Sequence, residues 1–473
     1  MSERILFLTG RLAEERLRRT LAGLGEVPFA WEVENIGVKV AALMTEPIVL
    51  RRIRRPVAAD RLVFPGRAGL DPARLSAELG VRCERGPDEI ADLPRFLGLH
   101  GKRADLSRHD TRIFAEIVDA ARLTPEAILA RAERERSQGA DVVDLGCVPG
   151  APFPHLEETV GRLKAAGLRV SVDSGNVDEL RRGALAGADF LLSLGETTLD
   201  VAAGTQAVPI LIPQPHGDLD SLVRAAELAE ARGIPCILDP ILDPIHFGFT
   251  ASLGRYAALR ARLPDAEILM GTGNLTELTD ADSAGVTAVL MGVCSELAIR
   301  NVLIVQVSPH TRRTVAEHDL ARRLMFAARA NADLPRGYAE GLLQAHDRRP
   351  YAQSAADIAA EAGQVRDSNF RIATAEDGVH VFSGRMHERG TEALAFFPQL
   401  GVEADGAHAF YLGTELMKAE IAHRLGKRYA QDEPLDFGVA APVPLRERVA
   451  LADAGHTLRA KAAGKDPRRA DDP

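Results

Sequence analysis

Residues 139–175 read GADVVDLGCVPGAPFPHLEETVGRLKAAGLRVSVDSG. A short apolar run stops at Asp144 and a Gly/Pro loop. A helix-length segment follows, and a second apolar run stops at Asp173, Ser174 and Gly175. Strand, helix and strand in that order make a βαβ unit, the building block of parallel sheets. Ligands of such sheets bind beyond the carboxyl ends of the strands, so both carboxylates are expected on one rim.

The pattern recurs on both sides of this stretch. Strand-like runs fall at 112–118, 141–147, 169–173, 188–194, 208–213, 235–239, 266–271 and 302–307, with helix-length segments between them. Thr124-Pro125-Glu126 has the cap, first-turn proline and acidic residue of a helix start. Gly139, Gly167, Gly187 and Gly233 each stand just before a strand, where helices end in left-handed glycines. Eight such repeats in about 200 residues are most simply closed as a (β/α)8 barrel. An open doubly wound sheet is the alternative.

The chain is too long for one core, and it divides by pattern. Residues 1–105 alternate strand-like runs (4–9, 28–33, 60–64, 80–84) with helical ones, which predicts a three-layer α/β domain of Rossmann or flavodoxin-like kind. Residues 106–315 hold the barrel, and 316–445 are expected to form an α+β domain. Its alternating stretch at 370–382 turns at Asp377-Gly378, and an amphipathic helix at 414–425 is closed by Gly426. From about 456 the run TLRAKAAGKDPRRADDP is short of large apolar side chains, and residues 446–473 read as a flexible tail.

Composition narrows the function. A formal net charge of -9 argues against nonspecific binding to nucleic acid or to an anionic membrane. No apolar run reaches the roughly 18 residues needed to span a bilayer. Four cysteines without a CxxC pair fit a reducing compartment and argue against a zinc ribbon. A cytoplasmic protein is expected.

Taken in order, the strand ends give Asp119, Asp144, Asp173, Ser193, Gln214, Asp239, Asn274 and His310. Clustered carboxylates repel one another, so they call for a cation, a proton or a donor-rich ligand. A flat heterocycle with adjacent N–H groups suits them. A divalent metal held by oxygen ligands is the rival.

GADVVDLG (139–146), SVDS (171–174), GAD with an apolar run (187–192), ILDP (237–240), GTGN (271–274) and QVSPH (306–310) occur in this order. Together they resemble the pterin-binding barrel of dihydropteroate synthases and of methyltetrahydrofolate-dependent corrinoid methyltransferases. The flanking regions resemble the synthase-like proteins of archaea and methylotrophic bacteria that are associated with tetrahydromethanopterin. The resemblance implies that Asp239 takes the 2-amino and N3–H edge of a pterin, with Asp173, Ser193, Gln214 and Asn274 around the rest of the ring. It places Asp144, Asp173 and His310 near the reaction and Arg312 and Arg313 at an anion. Asp119 stands roughly where synthases carry a magnesium ligand, so Mg2+ is the candidate ion, although the rest of that loop is absent. The implied substrates are a pterin pyrophosphate and an arylamine phosphate, and a homodimer is expected by analogy. Synthases carry Ser-Arg-Lys after the seventh strand, whereas this chain has Gly-Thr-Gly-Asn, nearer the methyltransferases.

Overall fold

The structure, a computed structural model, describes residues 2–99 and 105–441. The tail expected at 446–473 lies outside the described residues. The chain divides into two compact units.

One unit comprises residues 2–99, 345–437 and 441. Strands β1 (Glu3–Thr9), β2 (Phe29–Asn35), β3 (Arg61–Phe64) and β4 (Arg82–Arg85) form a parallel sheet ordered β2-β1-β3-β4. Alternate residues of β1 feed two separate cores: Leu6 and Leu8 pack with Val49 and Leu75, while Ile5 and Phe7 pack with Leu17, Leu21 and Leu93. Helices therefore cover both faces, as a parallel sheet requires. The same unit holds a second, antiparallel sheet from the last part of the chain. Its strands are Arg371–Ala375, Gly378–Phe382 and His387–Gly390, and they pack against the helix Gly406–Leu425.

The other unit comprises residues 105–344 and 438–440. Its eight strands are β5 (Arg112–Ile117), β6 (Val142–Gly146), β7 (Arg169–Asp173), β8 (Phe190–Leu194), β9 (Val208–Leu211), β10 (Ile237–Leu238), β11 (Leu269–Gly271) and β12 (Asn301–Val305). All are parallel, and each neighbours the next. β12 pairs with β5, and a bridge from Leu238 to Ile268 joins β10 to β11, where the Leu238 N–H donates to the Glu267 carbonyl (2.8 Å). The ring is thus nearly closed, in the manner of a (β/α)8 barrel, with a 3-10 turn (Leu199–Ala202) in place of the helix between β8 and β9. β10 is short because Pro235 and Pro240 bracket it and supply no N–H for a longer ladder. Gly139, Gly167, Gly187 and Gly233 all take positive φ at the helix-to-strand turns.

Strand alternation sorts the side chains into two populations. Ile113, Ala115 and Ile117 of β5, Val143 and Leu145 of β6, and Val170 and Val172 of β7 face the outer helices. Phe114, Val142, Phe190, Leu192, Ile210, Ile237 and Leu269 fill the barrel itself, with Phe114 and Phe190 edge to face at 4.9 Å. Two residues further along the inward row the apolar filling gives way to Glu116, Asp144 and Asp239. The mouth of the barrel is therefore acidic above an apolar plug.

At the opposite end Arg322 is only 3% exposed. It pairs with Asp141 and Asp319 and donates to the carbonyls of Thr111 and Gly139 (2.9 Å to the latter), tying the last helix to the first two strands. Removing one member of such a network strands the others without a counter-charge. Arg322→Met is expected to cost about 3–5 kcal/mol in urea unfolding. A cost below about 1 kcal/mol would show that the network does not hold the barrel closed.

Candidate functional site

The mouth is built from the inward-facing ends of the strands. Glu116 of β5 and Asp144 of β6 are register partners, and Asp173 of β7 stands opposite Gly146. One oxygen from each of Glu116, Asp144 and Asp173 lies within 4.8 Å of the other two. Asp144 is fully buried and neither of its carboxylate oxygens accepts a hydrogen bond. Its neighbour across the ladder, Ser171, is buried too, and its hydroxyl has no partner. Burial pushes the Asp144 carboxyl up to about 8; the charge of Glu116 adds to this, and the neighbouring Ser171 hydroxyl works against it. Asp173 is held well above the ordinary carboxylate range by burial and then by Asp144, Glu116 and Asp239. Glu116 is raised as well, chiefly by burial. Gly146 makes room for this arrangement: a Cβ there would meet Glu116 Oε1 at 2.5 Å.

Asp239, at the end of β10, is 7% exposed. Its Oδ1 accepts from the Tyr256 hydroxyl (2.8 Å) and the Ile241 N–H (2.8 Å). No hydrogen bond among the described residues occupies Oδ2. Burial pushes this carboxyl up to about 6, restrained by Tyr256, Ile241 and the more distant Arg255.

The loops after β11 and β12 are laced together. Glu277 accepts from the Val307 N–H (2.7 Å), the Ser308 N–H (3.1 Å) and the Thr311 hydroxyl (2.5 Å). Burial pushes Glu277 up, but these bonds outweigh it and hold it below its ordinary range. His310 Nε2 lies 3.0 Å from the Thr276 carbonyl, so its ring braces the same pair of loops. Arg312 is exposed, and Arg313 donates Nε–H to the Val439 carbonyl (2.9 Å). Among the described residues neither forms an ion pair. Both stand just ahead of the helix Thr314–Ala330, whose positive N-terminal end favours an anion.

The residues singled out from the sequence thus fall into distinct places. Asp144 and Asp173 share one cluster, and Asp239 is close enough to Asp173 to act on its charge. Ser193 sits where the β8–β9 register shifts, between Leu192 and Leu194. Gln214 is exposed and leans over Gly195, where a Cβ would lie 2.3 Å from its Oε1. Asn274 is exposed and spends its amide N–H on the Leu242 carbonyl (2.8 Å), which leaves its carbonyl oxygen open. Asp119, in a left-handed turn, pairs with Arg122 (2.9 Å) and is not a member of the carboxylate cluster. Glu116 and Tyr256 are not among the residues that the sequence pattern singles out. Glu116 carries a signal, since it shares the inward parity of Phe114. Tyr256 carries none, because it reaches Asp239 from a helix 17 residues away.

No helix among the described residues is long and apolar enough to cross a membrane. Residues 3–88 match the model of a family of unknown function, DUF6513. An uncharacterized protein of Methanocaldococcus jannaschii is 24% identical over 527 aligned positions, covering 91% of this chain and 98% of that one. Among solved structures, the dihydropteroate synthase of Thermus thermophilus in complex with 6HMPPP is 20% identical over 47% of this chain and 95% of its own, with a TM-score of 0.38. The dihydropteroate synthase of Xanthomonas albilineans in complex with 7,8-dihydropteroate is 22% identical over 49% of this chain and 96% of its own, with a TM-score of 0.37.

Proposed function

We propose that the barrel binds a reduced pterin and that the chain is a dihydropteroate synthase-like transferase. It would join 6-hydroxymethyl-dihydropterin pyrophosphate to an arylamine. Asp239 carries the reading: it is a buried carboxylate at a strand end, with one oxygen tied back by Tyr256 and Ile241 and the other left to accept. That oxygen suits the 2-amino and N3–H edge of a pterin. Arg312, Arg313 and the N-terminus of the helix Thr314–Ala330 supply the opposite charge for the pyrophosphate.

In this reaction the methylene C–O bond breaks and pyrophosphate leaves with the electron pair. The arylamine nitrogen forms the new C–N bond and sheds its proton. A cationic methylene gains from the carboxyl oxygens of the mouth, and the leaving group gains from the arginines. The finer reading takes a ribofuranosylaminobenzene phosphate as acceptor, in tetrahydromethanopterin biosynthesis.

One observation favours a second reading, a pterin-dependent methyltransferase or a non-catalytic pterin binder. Residues 105–344 contain a single lysine, Lys164, and it is bound to Asp189 (2.7 Å) just ahead of β8, at the end of the strands away from the mouth. No lysine of the barrel therefore serves the pterin.

Calorimetric titration separates the readings, with 6-hydroxymethyl-dihydropterin pyrophosphate in one cell and a methyl-tetrahydropterin in the other. Preference for the pyrophosphate is expected. Preference for the methylated pterin would move the assignment to methyl transfer. Binding of neither would sink the pterin reading.

A further inference from the structure

We infer that Glu116, Asp144 and Asp173 together form a binding site for one hard divalent cation inside the barrel mouth. The site shares Asp173 with the proposed pterin pocket, but it is argued from the protein's own acids and is tested without a pterin.

The other buried carboxylates of this unit show what a structural acid looks like here. Glu135 is bound by Arg131, Asp243 by Arg255, Glu179 by Ser174, and Glu317 by Ser283 and Gln344. Asp144 is as deeply buried as any of them, yet neither of its oxygens has a donor. Those oxygens point toward two further carboxylates, and no hydrogen bond among the described residues reaches the side chains of Glu116 or Asp173. Three acids converge, and Asp144 is the buried member, with only the Ser171 hydroxyl acting against its raised carboxyl. Buried polar groups are ordinarily partnered, so the missing partner of Asp144 is to be sought outside the protein.

The donor set fits one class of partner. It is all oxygen and all carboxylate, which suits magnesium, manganese or calcium rather than a softer metal. An octahedral ion with bonds of about 2.1 Å places opposite ligand oxygens about 4.2 Å apart; bonds of about 2.4 Å stretch that to about 4.8 Å. The three oxygens already fall within 4.8 Å of one another. They come from three adjacent strands, which fix their spacing, and Gly146 keeps clear the space that Glu116 occupies. Three protein oxygens leave about three coordination positions for water or for an oxygen of a substrate. Asp119 is not a member of the cluster and pairs with Arg122, although its charge reaches Glu116.

The test needs no pterin. Full-length protein stripped with a chelator is titrated with Mn2+, and the loss of the free-ion electron paramagnetic resonance signal is followed, with Mg2+ and Ca2+ as competitors. One saturable site per chain is expected. Asp144→Asn and Glu116→Gln each keep shape and remove charge, and each should weaken Mn2+ at least about 100-fold. Asp119→Asn should change it less than about 3-fold. Circular dichroism identifies any variant that has lost its fold, and the other then decides. Absence of a saturable site in the wild type would overturn the inference. So would Mn2+ affinity that survives both Asp144→Asn and Glu116→Gln, or that falls equally in Asp119→Asn. Because no pterin is present, failure here leaves the pterin reading standing, and failure of pterin to bind leaves this one standing.

Discussion

In chelator at pH 8, Asp144→Asn is expected to be more stable than the wild type, and the gap should close as the pH falls toward 4. The carboxyl of Asp144 is raised to about 8 in the fold, by burial first and then by Glu116. In the unfolded chain it titrates near 3.9. Between these values the folded state holds a proton that the unfolded state has released. The stability contributed by the protonated form is therefore whole below about pH 4 and is lost as the pH rises through about 8. Each such proton is worth about 1.4 kcal/mol per pH unit, so the wild type stands to lose on the order of 5 kcal/mol across the window. Asparagine fills the same space without titrating and also relieves Glu116 and Asp173 of a like charge. Urea unfolding of both proteins at pH 4.5, 6 and 8.5 checks this. Parallel stability curves would show that Asp144 is not held protonated. Saturating Mn2+ should restore the wild type at high pH and leave the variant unchanged, because a bound cation takes the place of the proton.

The barrel is legible in the sequence because its grammar is local. Each strand is a short apolar run, each helix-to-strand turn needs a left-handed glycine, and Gly139, Gly167, Gly187 and Gly233 supply it. The strand ends are legible for the same reason, and Asp144, Asp173 and Asp239 all line the mouth. Glu116 is hidden by a question of depth. The apolar run points to its terminal acid, Asp119, whereas the inward row of β5 runs through Phe114 to Glu116 and ends before the left-handed turn. Interactions that close over long sequence distances leave no trace. Tyr256 behind Asp239, Glu277 across two loops and Arg322 beneath the barrel are ordinary helix or loop residues until the chain is folded. Nor does any local pattern say that residues 2–99 and 345–437 share one compact unit across the whole intervening barrel.

On the proposed pterin reading, Asp239→Asn should abolish most of the affinity without disturbing the fold. Oδ1 accepts from Tyr256 and Ile241, and an asparagine can keep its oxygen in that place. The substituted atom is then Oδ2, which becomes an amide N–H₂ facing the N–H groups of the pterin. An acceptor bearing charge is replaced by a donor, so the ligand loses a charge-assisted bond and gains an unpaired group. Together these are expected to cost about 3 kcal/mol or more, beyond roughly 100-fold in Kd. Proton linkage gives a second signature. The wild-type carboxyl titrates at about 6, and only its ionised form accepts from the pterin. Affinity should therefore be flat above about pH 7 and fall about tenfold per unit below about 6. The variant should show no such fall, and its unfolding midpoint should stay near that of the wild type. Calorimetry with the pterin at pH 5, 6, 7 and 8 reads both effects. If Asp239→Asn binds as tightly as the wild type, the ring edge does not lie on Asp239. If the variant binds weakly but keeps the wild-type pH profile, the titrating group is another residue of the mouth.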